Sequence, residues 1–262
     1  MALPDLTVDW PATRQALHQA AQILGAVRAA VAPPQINYLH LGLKVSPGRL
    51  TTGPLGALGE WQLDLRTQTL RWYPIGGLPV ALPARGVTQR ALTGTVVRVM
   101  AHAGHHPPID RARLGGEEPL APNPATAAAY GDALTAIFAV LERLRAALPG
   151  AKTPLVVWPH GFDLSFLWFP RRIESEEAPH MSFGFSPASA GLDRPYFYAY
   201  AHPVPAGMTA LPLPDPARWH TSGWTGLVLP YDAVAPRADA QDTIARILRG
   251  VFEQIAPQLG GG

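Results

Sequence analysis

Cysteine is absent from the 262-residue chain, which excludes disulfides, zinc ribbons, thiol nucleophiles and redox pairs. Lysine is nearly absent too: Lys44 and Lys152 are the only two, so the basic pI near 9.1 rests on arginine. Formal net charge is only +2, and no basic run extends beyond Arg171–Arg172, so the clustered cations of a nucleic-acid binder are missing. The N-terminus, MALPDLTVDWPATRQALHQ, has no basic stretch followed by an apolar core and does not read as a signal peptide. Apolar windows are interrupted by Pro, Gly, Arg or Asp short of the ~20 residues that a membrane span needs. Neither a GxxxxGK phosphate loop nor a GxGxxG dinucleotide turn is present, and "SGWTG" is not the GxSxG of a serine hydrolase. The expectation is a cytoplasmic protein whose partner is a small molecule, with no nucleic acid and no membrane; its oligomeric state is not readable.

What is there fits an ordinary globular chain: 47% hydrophobic and 15% charged residues, enough to build a substantial core. Leu17, Ala20, Ala21, Leu24, Val27, Ala30 and Val31 follow helical spacing, with Pro11 suited to the first turn and Pro33-Pro34 ending the helix. INYLHLGLKV (36–45) alternates as a strand, with Leu39, Leu41, Leu43 and Val45 on one face and Tyr38, His40, Gly42 and Lys44 on the other. SPGR (46–49) is a turn, after which LTTGPL runs back, and WQLDLRT with TLRWYPI forms a hairpin. A helix is expected over Val87 to His102. Residues 103–124 are rich in Pro and Gly, without periodicity, and read as a linker. A third helix covers 125–148, ended by Pro149-Gly150. Short aromatic and branched strands follow (LVVWP, FDLSFLWF, HMSFGFS, PYFYAYAH, WTGLVLPY), then a last helix starting at Asp239 or Asp242. Strands in blocks rather than alternating with helices predict an α+β fold with mainly antiparallel sheet. The chain reads as one α+β unit over 1–262, with pseudo-repeated helix–sheet–helix halves at 1–105 and 122–262.

The motifs "WPHGFDLSFLWFP", "GFSPASAG", "PYFYAYAHP" and "WHTSGWTGLVLPYDAV", with "LHQAAQILGAVRAAVAPPQINYLHLGLKVSPGRLTTGPL" in the first half, resemble a bacterial family of uncharacterised proteins known only as a domain of unknown function. The resemblance spans most of the chain, and the histidine-bearing 101–125 stretch stands outside it. It implies no activity.

Chemistry-bearing side chains concentrate in the second half. Strand parity puts His180 and Ser182 on one face of their strand, opposite Met181, Phe183 and Phe185. Likewise Tyr196, Tyr198, Tyr200 and His202 lie opposite Phe197, Ala199 and Ala201, and Asp163 and Ser165 lie opposite Phe162, Leu164, Phe166 and Trp168. If these strands are neighbours, one sheet has an oily face and a second face lined by Tyr, His, Asp and Ser. Such a face is either solvated or a ligand pocket, since phenols and imidazoles combine apolar bodies with polar tips. Three imidazoles and a carboxylate can hold zinc, manganese or iron. The candidates are His40, His180 and His220 as metal ligands, with His160 and His202 in reserve, and Asp163 with His180 as the proton-moving pair. Tyr38, Arg49, Tyr196, Tyr198 and Trp224 are the expected ligand-binding residues. His102, His105 and His106 have metal-like spacing but suit the carbonyls of a helix end. Two functions are compatible with this set: metal-assisted hydrolysis of a small polar substrate, or a non-catalytic ligand-binding or protein-interaction module.

Overall fold

A computed structural model describes residues 1–260. Its α+β architecture agrees with the sequence reading: helices accompany one five-stranded and one seven-stranded sheet. The described chain divides into two compact units, one formed by Leu6–Thr135 and Val157–Phe162, the other by Met1–Asp5, Ala136–Val156 and the residues from Asp163 on.

The first unit begins with α1 (Trp10–Val31), which has Pro11 at its start. Its buried residues, among them Leu17, Ala20, Ala21, Leu24 and Val27, form the stripe that the spacing predicts. The predicted strand at 36–45 is a correction. Ile36–Leu41 is a 3-10 segment in which Asn37 and Tyr38 take left-handed backbone angles (φ 53 and 54), and the Gln35 N–H closes the turn on His40 Nδ1 at 3.2 Å. Alternating leucines signal a strand only where one face is fully covered. Here Leu39 and Leu41 are half-buried and only Leu43 is completely enclosed, bridging to Val157. The sheet then runs as a meander: β1 (Lys44–Ser46), β2 (Arg49–Thr51), β3 (Glu60–Asp64), β4 (Thr69–Tyr73) and β5 (Val80–Pro83), each antiparallel to the next. The expected hairpin is β3–β4. Its Trp61↔Trp72 partners stack at 5.6 Å. Gly59 (φ 80) leads into β3 where an added Cβ would lie 2.0 Å from the Tyr73 carbonyl oxygen, so only glycine fits.

Helix α2 (Gln89–His102) starts where the Thr88 side chain accepts from the Ala91 N–H, a regular N-cap. The following segment, 103–123, carries no helix or strand, yet it is tied to the first unit. Leu114 and Leu120 are buried, and backbone hydrogen bonds join Leu120 with Gly86 and Val87. Helix α3 (Pro124–Ala147) is long and apolar enough to cross a membrane by length and composition, which a count of uninterrupted apolar residues misses; half of its apolar window is buried within the protein. Asp132 on this helix takes both carboxylate contacts from Arg66 at 2.9 Å, with both side chains exposed.

The strands of the seven-stranded sheet are β6 (Ala151–Lys152), β7 (Val156–Val157), β8 (Leu164–Phe169), β9 (His180–Ser186), β10 (Tyr196–His202), β11 (Arg218–His220) and β12 (Gly226–Pro230). The order is β11-β12-β10-β9-β8-β6, with β7 beside β8. Register aligns Phe197 with Phe185, and Phe185 with Leu164, so these share one face. That face is covered by α5 (Ala240–Leu259), whose Phe252 meets Trp168 edge-on at 4.9 Å, and by Tyr231 of the short α4 (Tyr231–Val234), 5.8 Å from Phe185. Ile244, Ile247, Leu248, Val251, Phe252 and Ile255 of α5 are all buried, as the helical stripe predicts. Burying each such side chain contributes about 1.5–3 kcal/mol. Phe162, expected on strand β8, is a second correction: it precedes the strand with φ 61 and packs in the first unit between His18 and Tyr130.

Candidate functional site

The opposite face of the seven-stranded sheet carries the polar set that parity assigns to it. Tyr198 lies opposite Gly184, Tyr200 opposite Ser182, His202 opposite His180, and Ser165 opposite Gly184. The Tyr198 phenol donates to Asp163 Oδ2 at 2.7 Å, joining residues 35 positions apart. Burial, reinforced by the Asp163 charge, pushes this phenol well above its ordinary value, although a Ser165 hydrogen bond acts the other way. Tyr198 is therefore neutral and a donor at physiological pH. Tyr200 is shifted upward too, chiefly by burial.

The rings pack in a defined pattern. Tyr198 and Tyr200 stack at 6.1 Å with an 11° tilt. Trp224, on the loop before β12, stands nearly perpendicular to both, at 72° and 67°, and stacks on Tyr196 at 6.4 Å. The Tyr196 hydroxyl meets the Ser189 hydroxyl at 2.7 Å. Two glycines form the floor. A Cβ on Gly184 would lie 2.4 Å from Tyr198 Cζ and 2.5 Å from its Oη, and a Cβ on Gly226 would lie 2.6 Å from Trp224 Cζ3 and 2.9 Å from Tyr200 Cβ. Neither glycine has a positive φ, so what glycine supplies here is room for the rings. Tyr196 and Tyr198 are buried, while Tyr200, Trp224, His220 and Asp163 are half-buried.

The histidines are engaged one by one. His180 is buried, and its Nδ1 donates to the Ala178 carbonyl at 2.8 Å. Burial depresses its pKa, so the ring is neutral. Its ring lies 5.5 Å from that of His202 and 6.2 Å from that of Tyr200. His220 Nε2 donates to the Ser222 carbonyl at 2.7 Å, and the ring packs on Trp224 at 4.7 Å. His40 lies in the 3-10 segment of the first unit and accepts from Gln35. Among the described residues, no three His, Asp or Glu side chains gather closely enough to hold a metal ion. His40 belongs to the first unit, and His180 and His220 to the second; parity fixes which face a residue occupies, not which side chains converge.

The remaining expected binding residues sit in the first unit. Tyr38 is 60% exposed on the 3-10 segment. Arg49 pairs with Asp64, Nε to Oδ2 at 3.5 Å. Beside it, Thr51 donates to Glu60, and Thr52 donates to the Gly53 carbonyl, so these groups already have protein partners. His160, a reserve ligand, is exposed beside Trp158. Sequence reading passed over Gly184, Gly226 and Ser189. For the first two a signal existed: each is a glycine inside a strand, which marks a close approach.

The model of a family of unknown function, DUF5996, matches residues 3–260. No curated protein and no solved structure matches the chain.

Proposed function

The chain belongs to DUF5996, a family of unknown function, and we propose from its own residues that it binds a small polar molecule carrying a cationic or hydrogen-donating group. The observation that carries this reading is the Tyr198–Asp163 hydrogen bond, set on a glycine floor and walled by Tyr200 and Trp224. Perpendicular aromatic rings beside a carboxylate suit an ammonium group, which the faces of Trp and Tyr attract by about 0.5–2 kcal/mol. Glu176 adds negative charge near Tyr200 and His180. The neutral, buried His180 supplies no competing cation.

Binding without catalysis is the better-supported class. A proton-moving pair needs its two members within hydrogen-bond reach. Asp163 accepts from a phenol that stays protonated, and His180 points its Nδ1 proton at a backbone carbonyl. The test is thermal melting of the wild type, Trp224→Leu and Asp163→Asn with tetramethylammonium, choline, acetate and glycerol. Binding raises the melting temperature by mass action. Stabilisation by the two cations, lost in both variants, is expected. Equal melting temperatures with all four compounds refute the reading.

A further inference from the structure

A second hollow, apart from the tyrosine face, lies in the first unit. It is a groove of about 940 Å³ between the β4–β5 connection and the C-terminal half of α2, a size within the range of small-molecule sites. Its apolar lining includes Trp72, Ile75, Leu78, Val80 and Val99. Trp72 is buried and presents its ring edge-on to His105 at 6.0 Å. Ile75 and Leu78 are 72% and 87% exposed, so two large apolar side chains stand in water beside the groove. A lone exposed leucine means little; a pair framing an apolar hollow marks a binding surface.

The charge of the lining selects the occupant. Its ionisable side chains are Arg98, His102 and His105, with no Asp or Glu. Arg98 donates to the Thr95 hydroxyl at 2.9 Å, and among the described residues it has no carboxylate partner within salt-bridge distance. A guanidinium at one side of an apolar channel matches a molecule with an oily body and one anionic head, because the fork can grip a carboxylate with two hydrogen bonds.

We propose that this groove binds a free medium-chain carboxylate, its head on Arg98 and its chain laid over Trp72 between Leu78 and Val99. The site is independent of the tyrosine face and would stand if that reading failed. It also gives the His102–His105 cluster a role as polar flank rather than as a metal set.

Isothermal titration of the full chain with decanoate, decanol and decyltrimethylammonium, each below its micellar range, tests the assignment. Decanoate is expected to bind, with decanol at least tenfold weaker and decyltrimethylammonium not at all. Arg98→Gln is expected to weaken decanoate at least tenfold while leaving decanol unchanged, and Leu78→Asp to abolish both. Arg98 and Leu78 are exposed, so neither variant threatens the fold. No decanoate heat up to about 1 mM, equal affinity for decanoate and decanol, or wild-type affinity in Leu78→Asp would each overturn the proposal. Sedimentation with anionic phosphatidylglycerol vesicles in the absence of decanoate binding would instead assign the groove to a membrane surface, and overturn it equally.

Discussion

Replacing Gly184 by alanine tests whether the tyrosine face is built as described. In most strand interiors the change is favourable: glycine loses more backbone entropy on folding and is worse than alanine by about 0.5–1 kcal/mol. Here the added methyl carbon would lie 2.4 Å from Tyr198 Cζ, 2.5 Å from Tyr198 Oη and 2.6 Å from the Leu164 carbonyl oxygen. The first two contacts can be relieved by swinging the ring away, but that breaks the Tyr198–Asp163 hydrogen bond, which contributes about 1.5–3 kcal/mol because its acceptor is charged. The third sets the new methyl against a backbone carbonyl of β8 that cannot swing aside, and relieving it costs the ~1–3 kcal/mol of an overpacked core. Together the loss is about 2–5 kcal/mol after the entropic gain is subtracted. Urea unfolding of the wild type, Gly184→Ala, Tyr198→Phe and the double variant measures it, provided the slope stays constant across the four. Tyr198→Phe alone is expected to cost about 1–3 kcal/mol. The double variant should cost less than the sum, since both changes remove the same hydrogen bond. A Gly184→Ala protein as stable as the wild type, or strict additivity in the cycle, would refute the idea that this glycine exists to seat Tyr198.

Gly226→Ala should displace Trp224, whose Cζ3 would meet the new methyl at 2.6 Å; a shift in tryptophan emission that vanishes in a Trp224→Phe background checks this. Gly25→Ala should destabilise by about 1–3 kcal/mol, because its methyl would fall 2.4 Å from Pro159 Cβ; an unchanged urea midpoint would contradict that packing. Acid should destabilise the fold through His18 and His180, both depressed below 6.5 mainly by burial. The unfolded chain takes up their protons first, so stability is complete above about pH 6.5 and declines as pH falls through the window beneath it. His18→Gln keeps a donor to the Pro159 carbonyl, 2.8 Å from His18 Nε2, and His180→Asn keeps one to the Ala178 carbonyl, while both remove the titration; urea midpoints compared at pH 7.5 and 5.5 should converge in that double variant.

The fold was legible where the hydrophobic period was backed by burial on one side only. The stripes of α1, α3 and α5 and the alternation in HMSFGFS and PYFYAYAH carry enough repeats for helix or strand geometry to decide. Parity then placed Tyr196, Tyr198, Tyr200, His180 and Ser182 together on one face. In INYLHLGLKV only the end is strand, Lys44 and Val45 lying in β1; before it Leu39 and Leu41 are half-buried, and Asn37 and Tyr38 turn left-handed instead. Phe162 failed for a related reason: the strand starts two residues later, and one positive φ redirects the side chain.

The site divided along the same physical line. Asp163 directly precedes β8 and Tyr198 lies on β10, the two strands that flank β9, so their hydrogen bond rests on a strand order that the sequence does not state. The metal set required His40, His180 and His220 to converge from a 3-10 segment, a strand in mid-sheet and an edge strand, and no period in the sequence encodes such a distance. What sequence did encode, unread, were the two strand glycines. Polar rings on a sheet face either stand up into solvent or lie flat, and lying flat requires the neighbouring strand to give up its Cβ. Gly184 beneath Tyr198 satisfies that requirement, and Gly226, two residues along the chain from Trp224, leaves room for that ring and for Tyr200 on β10.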